Sequence, residues 1–92
     1  MTVKEQLIAA KALIDKPEKW CQGEFHAGDK HCFAGAIFMV SGYNEPATDQ
    51  VCNALAVAMG VVGRGDIYIW NDSHSHAEVM AAFDRAIAAQ GD

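Results

Sequence analysis

No C-x-x-C pair occurs in this chain, and its three cysteines, Cys21, Cys32 and Cys52, form an odd set without close spacing. The strong zinc signature is therefore missing. In a reducing cytoplasm the three are thiols, whose default role is that of small buried hydrophobes. Basic residues are also scarce: seven Lys and Arg face twelve Asp and Glu, giving a formal net charge of −5 with no basic block. Holding a nucleic-acid backbone needs clustered Lys and Arg, so nucleic acid is not an expected partner. No apolar run approaches the roughly 20 residues of a membrane span, and the opening M-T-V-K-E-Q-L lacks the charged and hydrophobic regions of a signal peptide. The expectation is a soluble, cytoplasmic protein with no membrane partner.

Apolar residues, in contrast, are plentiful. They make up 51% of the chain against 21% charged, which suits a packed core rather than disorder. A length of 92 residues fits a single domain, 1–92, with neither repeat nor linker. Val3, Leu7, Ala10 and Ile14 share a face, so a first helix is predicted from about Val3 to Asp15. Pro17 stops it and begins a further turn, Pro17 to Cys21, carrying Trp20. Glycines at 23 and 28 then punctuate a segment in which Glu24-Phe25-His26 can face Lys30-His31-Cys32 as a very short hairpin, with a structured loop as the alternative. Such a hairpin is marginal without a core beneath it.

Cys32 to Val40 is the most apolar run, too long for a typical buried strand and suited to a short central helix closed by Gly42. After Glu45-Pro46, which biases the chain away from helix just before the proline, a third helix is predicted from about Ala47 to Met59. Its inward face is Val51, Leu55, Ala58 and Met59, and Gly60 closes or kinks it. Gly63-Arg64-Gly65 reads as a flexible connection, and Asp66 to Trp70 as a short helical or extended turn. The last helix ends near Ala89, and Gln90-Gly91-Asp92 is a frayed tail.

The stretch that organises the chain is Ile69 to Val79. Ser75 and Glu78 have the form of a capping box, each side chain bonding the other's backbone N–H. In the helix that follows, Val79, Phe83, Ala86 and Ile87 form the apolar stripe. His76 lies on that stripe and is predicted to point inward, held neutral by the positive end of the helix dipole. His74, in the polar turn, is expected in solvent. Asn71 and Asp72 read first as turn and cap residues.

Two explanations compete for this region. In the favoured one His76 is a buried histidine tied to a backbone carbonyl or a carboxylate, and the chain is a non-enzymatic binding or accessory domain. Its partner is then an unknown protein or a small molecule, contacted through Trp20, Trp70 and His74. A small-molecule pocket or protein-binding patch between the last helix and the glycine-rich hairpin, edged by Trp20, Phe25, Tyr68 and Trp70, would serve that purpose. Alanine-rich surfaces on the third and fourth helices also allow a homodimer. In the alternative, Cys32 at a helix start is a thiolate nucleophile, His76 its base and Asp72 or Asn71 the orienting group, giving an acyl-transfer or amide-hydrolysis enzyme. His26, His31, Cys32, Asp72, His74 and His76 offer ligand atoms, but their spacing specifies no metal site, and neither metal nor cofactor is expected.

Taken together, Trp20-x-x-Gly23, Cys32-x-x-Gly35-Ala36, Trp70-Asn71-Asp72 and His76-x-Glu78-Val79, followed by Phe83-Asp84-x-Ala86-Ile87, resemble an uncharacterised family of small bacterial and phage-associated proteins. The resemblance covers most of the chain from Trp20 to Ile87. It implies a mainly helical domain in which the cysteine run and the W-N-D segment belong to one feature, and it carries over no catalytic residue. The expected architecture is mainly α: a single compact domain of four helices, with room for one short β-hairpin near 24–32.

Overall fold

A computed structural model describes residues 2–90; the frayed tail expected at Gly91 and Asp92 lies outside them. The first helix, α1 (Val3–Leu13), starts at a capping box in which Thr2 accepts the Glu5 N–H and Glu5 accepts the Thr2 N–H. It ends slightly before the expected Asp15, with Ile14 as its C-cap. Leu7, Ala10 and Ile14 are fully buried. Pro17–Lys19 form a single 3₁₀ turn that delivers Trp20.

The hairpin is present and shorter than the segment that suggested it. β1 (His26–Ala27) pairs antiparallel with β2 (Lys30–His31), His26 opposite His31. Two such strands do not hold alone, and here they are held on both sides. Trp20 forms a parallel bridge to His31, and the Cys21 N–H donates to the His31 carbonyl. The Cys32 N–H donates to the Phe25 carbonyl at 3.0 Å.

The central helix, α2 (Phe33–Ser41), runs as the apolar pattern predicts and touches α1, α3 and α4. Its cap is Cys32, whose Sγ accepts the Gly35 N–H, and Gly42 closes it in the left-handed conformation that glycine adopts without cost. α3 (Glu45–Met59) begins two residues earlier than the Ala47 expected from sequence. Asn44 caps it by accepting the Ala47 N–H, and Pro46 falls in the first turn, where a missing N–H would have had no partner in any case.

The main difference from expectation comes next. Gly63-Arg64-Gly65 is not a flexible connection: Gly63 is the N-cap of a ten-residue helix, α4 (Arg64–Ser73), that carries Trp70, Asn71 and Asp72. Among the described residues the fold therefore has five α-helices rather than four, with the small hairpin before α2. Its final helix, α5 (His76–Ala89), opens at the predicted capping box. The Ser75 backbone N–H donates to the Glu78 carboxylate and holds its pKa below the usual range. Among the described residues no helix is long and apolar enough to cross a membrane.

All five helices feed one apolar cluster, with Phe33 and Phe83 packed edge to face at 4.6 Å near its middle. The most deeply placed alanines of α3 and α5, Ala56, Ala82 and Ala86, are in that interior. Cys52 is fully buried there as a small hydrophobe. A second, smaller cluster of Cys32, Ala34 and Phe38 lies on the hairpin side and receives Cys21 and Tyr68.

Candidate functional site

The W-N-D segment, predicted as a polar turn, is the last turn of α4, and its centre is Asn71. Asn71 is completely buried. Its Oδ1 accepts the Trp20 indole N–H at 2.8 Å and the Phe33 backbone N–H at 3.0 Å. Its Nδ2 donates to the Cys21 carbonyl at 3.1 Å and to Asp72 Oδ1 at 3.3 Å. Both faces of the amide are thus used, and the partners dictate its orientation: two donors demand the oxygen and a carbonyl demands the nitrogen. The Phe33 N–H is one of the first-turn donors of α2 that no helical carbonyl can reach. Asn71 therefore joins the end of α4 to the start of α2 and to the Trp20–Cys21 segment.

Neighbouring bonds extend this junction. Asp72 Oδ1 also accepts the Gly23 N–H at 2.8 Å, and Gln22 Nε2 donates to the carbonyls of Asn71 and His74. Trp70 packs on Phe33 and stacks flat on His74, with ring centroids 3.8 Å apart. His74 is therefore half-buried, not in solvent as expected, and its Nδ1–H donates to the Trp70 carbonyl. The reason is local: the end of α4 leaves carbonyls without intrahelical partners, and this imidazole supplies a donor to one of them.

His76 turns toward α1. Its Nε2–H donates to the Ile14 carbonyl at 2.7 Å, and its ring lies 5.7 Å from that of Trp20. Cys32 faces another way, with its Sγ accepting from Gly35. Among the described residues no hydrogen bond joins Cys32 to His76. The helix start does favour the Cys32 thiolate through the Gly35 and Ala34 N–H groups, but burial outweighs them and raises the thiol above its ordinary pKa. Trp20 and Trp70 are likewise occupied with the protein itself, as partners of Asn71, His76, Phe33 and His74.

Open space lies beside this junction. A cleft of about 220 Å³ is lined by Gly23, Glu24, Phe25, Cys32, Tyr68 and Asp72. It lies between the loop after Trp20 and α4, not between that loop and the last helix. Tyr68 and Asp72 are four apart on α4 and so share a face. Phe25 meets Tyr68 at 4.8 Å and Phe38 at 5.4 Å, both edge to face. Each wall thus carries one aromatic residue and one acid, Phe25 with Glu24 on the loop and Tyr68 with Asp72 on α4, and Cys32 completes the lining. Glu24 does not stand out in the sequence as a site residue. Nothing local marks it, and the Tyr68–Asp72 pairing can be read only once the segment is known to be helical.

A second polar cluster sits on the hairpin. His26 Nδ1 and His31 Nδ1 are 2.7 Å apart, and His26 Nε2 makes a close hydrogen bond with the Tyr43 hydroxyl. Only one proton fits between the two Nδ1 atoms, so both rings cannot be fully protonated in this arrangement. Burial lowers the His31 pKa, and the neighbouring His26 lowers it further; Asp29 opposes this weakly and Lys19 adds to it. The unfolded chain therefore takes up this proton first. The stability contributed by neutral His31 is complete above the unfolded value of about 6.5 and is lost as the pH falls through the lower folded value. Thermal melts over a pH series are expected to show this loss, and His31→Gln is expected to flatten that part of the profile. Among the described residues no group of three or more His, Cys, Asp or Glu is arranged to hold a metal ion.

Comparison with known proteins finds one family model, described as a family of unknown function (DUF6197), which matches residues 1–89. No curated protein and no solved structure matches the chain.

Proposed function

We propose that this chain, which belongs to that family of unknown function, is a binding domain whose ligand enters the cleft between the Gly23–Phe25 loop and α4. One observation carries the reading: two acidic residues, Glu24 and Asp72, and two aromatic residues, Phe25 and Tyr68, line a single small space. A concave, mostly apolar site with a few convergent polar groups is the usual form of a small-molecule pocket. The charge sign selects the ligand class. An anion would meet two carboxylates, whereas a protonated amine on an aromatic or aliphatic body would meet acceptors for its charge and rings for its body. Asp72 is placed for this because Gly23 and Asn71 both bond its Oδ1, and no hydrogen bond from the described residues uses Oδ2.

Phenethylamine, phenethyl alcohol and phenylacetate form a matched set of probes. Titrating each into labelled protein should move the amide resonances of Gly23, Glu24, Cys32 and Asp72 for the amine first. An exposed ion pair is worth about 0.2–1 kcal/mol, so the amine should bind about 1.4- to fivefold more tightly than the alcohol. Asp72→Asn should remove that preference. Equal shifts from the phenylacetate anion, or shifts confined to other surfaces, would refute the proposal. The sulfur-nucleophile alternative has no comparable support, since the His76 Nε2–H is committed to Ile14 and the Cys32 thiol is raised by burial.

A further inference from the structure

Two of the three cysteines, distant in sequence terms from any C-x-x-C pattern, are brought together by the strand register. The Trp20–Cys21 segment runs parallel to β2, with Trp20 opposite His31 and the Cys21 N–H donating to the His31 carbonyl at 3.1 Å. One residue further along each segment stand Cys21 and Cys32. Trp20 and Cys32 both have extended backbone, so the register carries forward to the next pair. Adjacent strands lie about 4.8 Å apart, and residues in register point to the same face. Disulfides span Cα separations of about 4.4–6.8 Å, a range that includes this spacing. Cys21 packs against the small cluster that Cys32 forms with Ala34 and Phe38, and both are free thiols. Cys52 belongs to the separate main core.

We propose that Cys21 and Cys32 are a reversible dithiol–disulfide site at the edge of the cleft, with a low-molecular-weight disulfide of the glutathione type as co-reactant. Cys21 is partly exposed and Cys32 is 3% exposed, which sets the order of events. The Cys21 thiolate attacks one sulfur of the small disulfide, forms a mixed disulfide and releases one small thiol. Cys32 then gives up its proton to solvent as its sulfur attacks Cys21 Sγ, and the second small thiol leaves. In total, two protein thiols lose two electrons and two protons, and one small disulfide becomes two thiols. Burial raises both protein thiols, so few thiolates form and exchange is slow: the site follows the redox poise of its surroundings and does not turn over a substrate. The bond would tie the cap of α2 to the loop bearing Gly23, Glu24 and Phe25, fixing one wall of the cleft. The inference does not depend on what the cleft binds.

The full chain, incubated with glutathione and glutathione disulfide at increasing ratios, acid-quenched and alkylated, tests this directly. The expected product has lost two hydrogens in mass, yields a cross-linked peptide joining Cys21 to Cys32, leaves only Cys52 for alkylation, and reverts with dithiothreitol. Cys32→Ser keeps a cap side chain on α2 and should stop at the mixed disulfide on Cys21. Three alkylatable thiols at every ratio, glutathione adducts without a cross-link, or bridges involving Cys52 or a second chain would overturn the proposal.

Discussion

Asn71→Ala is expected to cost about 3–5 kcal/mol of folding stability, read as a fall in urea midpoint with little change in slope. The loss is large because the amide serves four partners at once, and alanine serves none. The Phe33 N–H lies in the buried start of α2 and would have no acceptor there. The Trp20 indole N–H and the Cys21 carbonyl lose their partners in the same step. The orphaned buried Phe33 N–H costs about 1–3 kcal/mol, the part-buried Trp20 and Cys21 groups add less each, and the space left by the amide adds to that. A chain of 92 residues at roughly 0.05–0.15 kcal/mol per residue has about 5–14 kcal/mol in all, so one substitution should remove a large part of it. Asn71→Asp separates hydrogen bonding from charge: it keeps the acceptor for Trp20 and Phe33, loses the donor to Cys21, and brings a second carboxylate against Asp72. Asn53→Ala on the exposed side of α3 serves as control and should stay within about 0.5 kcal/mol. An Asn71→Ala cost as small as the control's would mean that this junction does not hold the helices together.

The same residue shows where sequence reading succeeds and where it runs out. Ser75 with Glu78, and Gly42 after an apolar run, are signals that act through neighbouring backbone, so α5 and α2 could be placed from local chemistry alone. α4 could not. Glycines stand at both sides of its first residue, and Asp66 to Trp70 alternate in a way that imitates a strand. Its inward face is Ile67, Trp70 and Asn71, with an amide where a hydrocarbon would have marked the stripe. That amide makes sense only through Trp20 and Phe33, which are 51 and 38 residues away in the chain. The capping box places His76 at the start of α5, but sequence alone could not separate a partner in Cys32 from one in Ile14. The end of α1 leaves a carbonyl to be satisfied, and the imidazole satisfies it.

Gly35→Ala is the second substitution with a large expected effect, and its sign is opposite to the local rule. In the interior of a helix, alanine is favoured over glycine by about 1 kcal/mol. At Gly35, however, a Cβ would stand 2.0 Å from the Phe25 carbonyl oxygen and 2.9 Å from its carbon. Those are backbone atoms, so no rotamer change relieves the overlap. The same oxygen accepts the Cys32 N–H, and Phe25 forms one wall of the cleft. Either α2 or the hairpin must move, with loss of that bond and of the Phe25 contacts with Phe38 and Tyr68. Overpacking of this kind costs about 1–3 kcal/mol or more, which exceeds the propensity gain. The expected net loss is about 2 kcal/mol by urea titration, accompanied by shifts of the Phe25 and Tyr68 ring resonances. Gly65 provides the contrast within the same chain: it lies in the first turn of α4, and a methyl group there would meet nothing within 4 Å. Gly65→Ala should therefore be neutral or gain up to about 1 kcal/mol. A Gly35→Ala protein as stable as Gly65→Ala would show that the hairpin does not lie against α2, and the cleft would lose the wall on which the proposed ligand site depends.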